Sequence, residues 1–153
     1  MYILLDIDGV MIPAKGWKSP ELLQDGFPDF SNKATGVLQQ LISDDTTIIL
    51  TTSHKSNFSI EQWKSIFKKR GVNIENLQCL PNNTHNLSRK TEILNWFNIN
   101  AIKDFIIIDD DKSLNDLPIF LKENLIQPSP FIGLTNDHLS IANRIIQQNL
   151  QLS

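Results

Sequence analysis

Three short apolar runs constrain this chain most: Tyr2-Ile3-Leu4-Leu5, Thr47-Ile48-Ile49-Leu50 and Phe105-Ile106-Ile107-Ile108. Each is continuous rather than alternating, and two are rich in Ile. A strand with one wet face alternates apolar and polar residues, whereas a strand covered on both faces reads as an unbroken run. Leu77-Gln78-Cys79-Leu80 and Phe131-Ile132-Gly133-Leu134 are weaker strand candidates. Between the runs, apolar residues recur at helical spacing. Ala34, Val37, Leu38, Leu41 and Ile42 mark one helix, with Ser31 as its N-cap. Ile60, Trp63, Ile66 and Phe67 mark a second, closed by Lys68-Lys69-Arg70-Gly71. Ile93, Leu94 and Phe97 mark a third, capped by Ser88. A short fourth is expected near Leu114 to Leu121, with Pro118 placed awkwardly inside it. Leu139, Ala142, Ile145 and Ile146 mark the last. Strand and helix alternate, so the expected fold is an α/β sandwich around a central, mainly parallel sheet.

Length and composition set limits on that sandwich. The chain has 153 residues, which suits a single domain over 1–153. Its 41% hydrophobic content fills one core, and 20% charged residues argue against a disordered chain. A net charge of -3 argues against a broadly basic nucleic-acid coat. Cys79 is the single cysteine, which excludes a disulfide framework or a Cys-rich zinc site and suits a reducing cytoplasm. The N-terminus lacks a basic region and a cleavage site, and no apolar run suits a membrane helix. The three Asn-x-Ser/Thr matches, at Asn57, Asn82 and Asn86, are read as chance. Residues 13–29 form the one long irregular stretch. They are expected to act as a flap over the end of the first strand, with Trp17, Phe27 and Phe30 either walling the site or packing on the sheet.

Open parallel sheets bind ligands beyond the carboxyl ends of their strands. Here those ends read Asp6-Ile7-Asp8-Gly9, Thr51-Thr52-Ser53 and Asp109-Asp110-Asp111. Residues i and i+2 of a strand point the same way, so Asp6 and Asp8 are expected to approach each other. Gathered carboxylates repel and their pKa values rise unless a positive charge sits among them. A hard divalent cation such as Mg2+ resolves this with oxygen ligands alone. His54, His85 and His138 show no metal-ligand spacing. Singly, each feature has a plain alternative: a turn for Asp6-Ile7-Asp8-Gly9, a loop for the threonines, a helix cap for Asp109 to Asp111, a solvated side chain for Lys90. Lys64, Lys68, Lys69 and Arg70 form the one basic cluster, read as a solvated helix end, with a landing patch for a phosphate backbone as the alternative.

The order of these motifs resembles the haloacid dehalogenase-like (HAD) superfamily, mostly Mg2+-dependent phosphohydrolases with a Rossmann-like core. Asp6-Ile7-Asp8-Gly9-Val10 resembles its first motif, Thr51 its second, Lys90 at a helix start its third, and Ile108-Asp109-Asp110-Asp111 its fourth. Leu50-Thr51-Thr52 and Gly133-Leu134-Thr135 are further similar to a capless subgroup found in bacterial RNA-repair fusion proteins, which often has Trp-Arg where this chain has Ser53-His54. The resemblance implies a three-layer Rossmann-like sandwich without a large cap. It implies Asp6 as nucleophile, Asp8 as general acid and base, and Thr51, Thr52 and Lys90 as holders of the phosphoryl group. It implies Mg2+ held by Asp6, Asp8, Asp110 and Asp109. The expected activity is phosphomonoester hydrolysis through an aspartyl-phosphate. The substrate is a phosphorylated small molecule or a phosphorylated nucleic-acid end, with a monomer as the default state. Alternatives are an end phosphatase in RNA or DNA repair and a non-catalytic phosphate-binding or receiver-like domain.

Overall fold

A computed structural model describes residues 1–15 and 19–152. Trp17, expected either to wall the site or to pack on the sheet, lies outside the described residues. The three strong runs form strands β1 (Tyr2–Leu5), β2 (Thr47–Leu50) and β4 (Phe105–Ile108); β3 (Asn76–Cys79) and β5 (Leu125–Ile126) complete the sheet. Its order is β3-β2-β1-β4-β5 and every pairing is parallel. Helices α1 (Asn32–Leu41), α2 (Ile60–Lys69), α3 (Arg89–Ile99), α4 (Ile119–Lys122) and α5 (Asn136–Leu152) cover it.

Strand periodicity divides the core in two. Ile3, Leu5, Ile48, Leu50, Ile106 and Ile108 face one layer, with Val37, Leu38, Trp63, Phe67, Ala142 and Ile145 from α1, α2 and α5. Leu4, Ile49 and Ile107 face the other, with Ile93, Leu117 and Leu121. Burial on both faces is why the runs lack polar alternation, and the architecture is a three-layer Rossmann-like sandwich. The expected caps form: Ser31 accepts from the Ala34 amide, and Ser88 from that of Thr91. Between β1 and β2 lie a loop and α1, and between β2 and α3 lie α2 and β3, so the described residues include no large cap.

Two expectations change. Pro118 divides the fourth helix into a 3-10 turn (Lys112–Asp116) and α4, for which it serves as N-cap. Phe131 to Leu134 form a turn rather than a strand: Gly133 has φ +76°, and the Ile132 and Gly133 amides both donate to the Ser129 carbonyl. A side chain at Gly133 would meet the Val10 carbonyl at 2.7 Å, so this turn is fitted to the loop after β1.

Arg70 also departs from expectation. It is buried instead of solvated, so it offers nothing to a phosphate backbone. Its Nη1 and Nη2 donate to Asp25 at 2.7 and 3.0 Å, and it also donates to the Pro28, Phe27 and Ile66 carbonyls. The guanidinium lies 5.1 Å from the Phe30 ring centre. Its hydrogen bonds hold the Asp25 carboxyl below its usual pKa range. The later half of the expected flap is therefore tied to the end of α2. Arg70→Ala is expected to cost about 3–5 kcal/mol, because Asp25 and three carbonyls lose a buried partner. Arg70→Lys should recover little, since an ammonium cannot reproduce the fork. Chemical denaturation checks both.

Candidate active site

Register explains how the acids meet. The ladders continue beyond the strands: the Asp6 amide donates to the Ile108 carbonyl, Thr51 to Leu5, and Asp109 to Ile126. Asp6, Thr51 and Asp109 therefore stand level at the carboxyl edge. The residues before them, Leu5, Leu50 and Ile108, face α1, α2 and α5. Strand alternation then turns all three side chains toward α3. β1 and β4 are neighbours, with the chain winding away on either side, so the acids occupy the topological switch point.

Oxygens of Asp6, Asp109 and Asp110 lie within 4.8 Å of one another. Asp6 and Asp109 are buried, and Asp110 is partly so. The α3 start supplies the counter-charge. Arg89 Nη1 lies 2.6 Å from Asp109 Oδ2 and 3.4 Å from Asp6 Oδ1. Burial works against the guanidinium charge, but Asp109 and Asp6 outweigh it and raise its pKa. Thr51 Oγ1 donates to Asp109 Oδ2 at 2.9 Å. Burial, then the Asp109 charge, push Asp6 up to about 9 despite Arg89, and Asp110 is raised chiefly by burial. Three carboxylates against one guanidinium leave a formal charge of -2 in a buried site. Without a cation, the pocket sheds part of that charge by protonating Asp6. An oxygen-only donor set short of two positive charges fits a hard divalent ion.

Gly9 is required by this packing. It has φ +79°, and a Cβ there would fall 2.0 Å from Asp110 Oδ2. Gly9→Ala is expected to displace the Asp110 carboxylate, and the left-handed backbone adds roughly 1–2 kcal/mol of strain. Calorimetry should find divalent-ion affinity lowered roughly 10–100-fold, the range for disturbed ligand support.

Asp8 stands apart from the cluster. β1 ends at Leu5, and the Val10, Met11 and Ile12 amides fold back onto the Ile7 carbonyl. The turn breaks the period of two that predicted an Asp6–Asp8 approach. The Asp8 carboxylate instead meets His54 Nε2 at 2.7 Å, and it borders two grooves of about 890 and 410 Å3. Thr52 is buried, with its hydroxyl accepting from the His54 amide. Lys90, the expected third-motif residue, uses its amide on Ser113 Oγ, and its ammonium forms no ion pair among the described residues. Asp111 caps the 3-10 turn by accepting from the Ser113 amide, its plain alternative role.

Sequence reasoning passed over three residues here. Arg89 takes the position beside the acids expected for Lys90. His54 orients Asp8. Lys55, 5% exposed, pairs with Glu92 at 2.9 Å, and Glu92 Oε1 lies 3.7 Å from Arg89 Nε, so a buried chain of alternating charge supports Arg89. The available signal was position: Arg89 opens the helix after Ser88, and His54 follows the end of β2 by four residues.

Comparison with known proteins matches this arrangement. A family model described as the HAD domain in Swiss Army Knife RNA repair proteins covers residues 2–139. A search of curated proteins gives no match. The chain belongs to this family of HAD domains, and through it to a superfamily of hydrolases and phosphatases.

Proposed function

We propose that the chain is a Mg2+-dependent phosphomonoesterase that works through an aspartyl-phosphate and acts on a phosphorylated nucleic-acid end. The observation that carries the reading is the buried trio of Asp6, Asp109 and Asp110 with one guanidinium against it. The family description, a domain of RNA repair proteins, favours a nucleic-acid end over a small metabolite.

Asp6, Asp109 and Asp110 would hold the cation, with the main-chain carbonyl of Asp8 as a further ligand. When bound, Mg2+ offsets charge on the phosphoryl oxygens and on Asp6. An Asp6 carboxylate oxygen attacks phosphorus, and the bond from phosphorus to the ester oxygen breaks. Asp8 gives its proton to the departing oxygen. It then takes a proton from the water that attacks the aspartyl-phosphate, releasing inorganic phosphate and restoring Asp6. The position of Asp8 outside the cluster, bordering both grooves, supports a role toward the leaving group. His54 keeps its carboxylate aimed. The Thr51 hydroxyl turns from Asp109 to donate to a phosphoryl oxygen, and the Thr52 amide donates to another. Arg89 offsets the charge that grows on them. The domain, 1–153, acts as one unit.

Metal titration at several pH values tests the reading. The cation must displace a proton from Asp6, whose folded pKa is raised to about 9. Mg2+ affinity is therefore expected to rise by up to about tenfold per pH unit between pH 6 and 8, and its thermal stabilisation should grow accordingly. EDTA should abolish hydrolysis of an aryl phosphate. Undiminished turnover in EDTA would overturn the proposal.

A further inference from the structure

We propose that the groove running from Asp8 past His54 to Leu22 and Phe58 binds the base of the terminal nucleotide. The inference rests on reading the acidic cluster as the phosphoryl site. The general acid must touch the leaving oxygen, so the leaving group lies on the Asp8 side. There the groove of about 410 Å3 opens, within the roughly 300–1,000 Å3 typical of small-ligand sites.

Its lining is unlike the acidic cluster. Pro20, Leu22, Phe27 and Phe58 supply apolar surface, and Asn57 supplies an exposed amide with both donor and acceptor. Leu22, 65% exposed, offers an apolar side chain at the rim of the groove. The walls are held firmly. Phe27 packs edge-on against Phe58 at 5.8 Å, Trp63 at 5.2 Å and His54 at 5.7 Å. The Phe27 carbonyl is fixed in turn by Arg70. A preformed, half-open apolar slot beside a phosphoryl site, with one polar amide at its rim, suits a flat heteroaromatic ring. An apolar slot accepts any base face, so it favours a base over none without selecting strongly among bases. A sugar phosphate without a base would leave the slot wet.

The test measures binding to short RNA ends by fluorescence anisotropy, using the Asp6→Asn variant so that nothing turns over. Each RNA carries a 5'- or 3'-phosphate on a terminal residue that is either adenosine or abasic. The base is expected to tighten Kd about tenfold for the end the enzyme prefers. Leu22→Ser and Asn57→Ala, both at exposed positions, should shrink that gap to about threefold or less. Phe58→Ala should do the same where it folds. Equal Kd for adenosine and abasic ends, or a gap unchanged in Leu22→Ser, overturns the proposal. The wild-type protein is assayed on the same RNAs for release of phosphate. Base-dependent binding without phosphate release would refute the phosphatase reading and leave the groove assignment standing.

Discussion

Asp6→Asn is expected to abolish phosphate release while leaving a folded, more alkali-tolerant protein. Loss of the attacking carboxylate should lower kcat by about 10^4-fold or more, as when other covalent nucleophiles are removed. Its effect on stability has the opposite sign. The folded pKa of Asp6 is raised from 3.8 to about 9, first by burial and then by Asp109. A carboxyl with a raised folded pKa binds its proton more tightly folded than unfolded. Its stabilising contribution is full below about pH 4 and is lost as pH rises towards 9. An amide cannot ionise, so the variant escapes that loss. In EDTA at pH 8 its melting temperature should exceed that of the wild type, and it should gain less from Mg2+. A metal-free variant less stable than the wild type at pH 8 would contradict the electrostatic account of the cluster.

Arg89→Ala carries the next largest effect. Its guanidinium is the cation in direct contact with Asp109, at 2.6 Å, and with Asp6. Removing it takes away the cation that contacts two of the three carboxylates. Turnover should fall roughly 10^2–10^3-fold, the cost of losing a preorganised charge at the reacting oxygens. Stability should fall by about 3–5 kcal/mol, because a buried pair is broken from one side. Mg2+ should restore part of that stability, since it supplies the missing charge. Arg89→Lys should retain more activity than Arg89→Ala without reaching the wild type, as one ammonium cannot serve both carboxylates in the same plane. Lys90→Ala should lose less than tenfold; a loss as large as that of Arg89→Ala would return the role to Lys90.

The contrast between Arg89 and Lys90 marks where sequence reading stops. Three apolar runs and their polar ends were legible because a strand has a period of two and register is simple in a parallel sheet. From these came the three central strands, the layers and the meeting of Asp6, Thr51 and Asp109, while the short edge strand β5 went unread. Helix starts are less forgiving. Successive residues turn by roughly a quarter of a circle, so a shift of one position changes which side chain faces the sheet edge. Arg89 and Lys90 differ by that one step, and Ser88 as N-cap decides between them. Asp8 was misjudged in relation to Asp6 because β1 stops at Leu5, and the turn after it follows hydrogen bonds to the Ile7 carbonyl that no pattern announces. His54 and Arg70 act through partners 46 and 45 residues away, Asp8 and Asp25, and such contacts leave no periodic trace. The Phe131 to Leu134 turn read as a strand because its residues are apolar, while its backbone answers to Gly133 and to the loop after β1.

The central claim is that Asp6 carries the phosphoryl group. Acid quenching during turnover of a phosphate-labelled substrate, followed by peptide mapping, tests it directly. The account predicts label on the peptide containing Asp6, formed only with Mg2+ and absent from Asp6→Asn; with an aryl phosphate, whose phenolate leaves without an acid, label should accumulate in Asp8→Asn, where water is no longer activated. Phosphate release without any label on that peptide, or label that persists in Asp6→Asn, would contradict it.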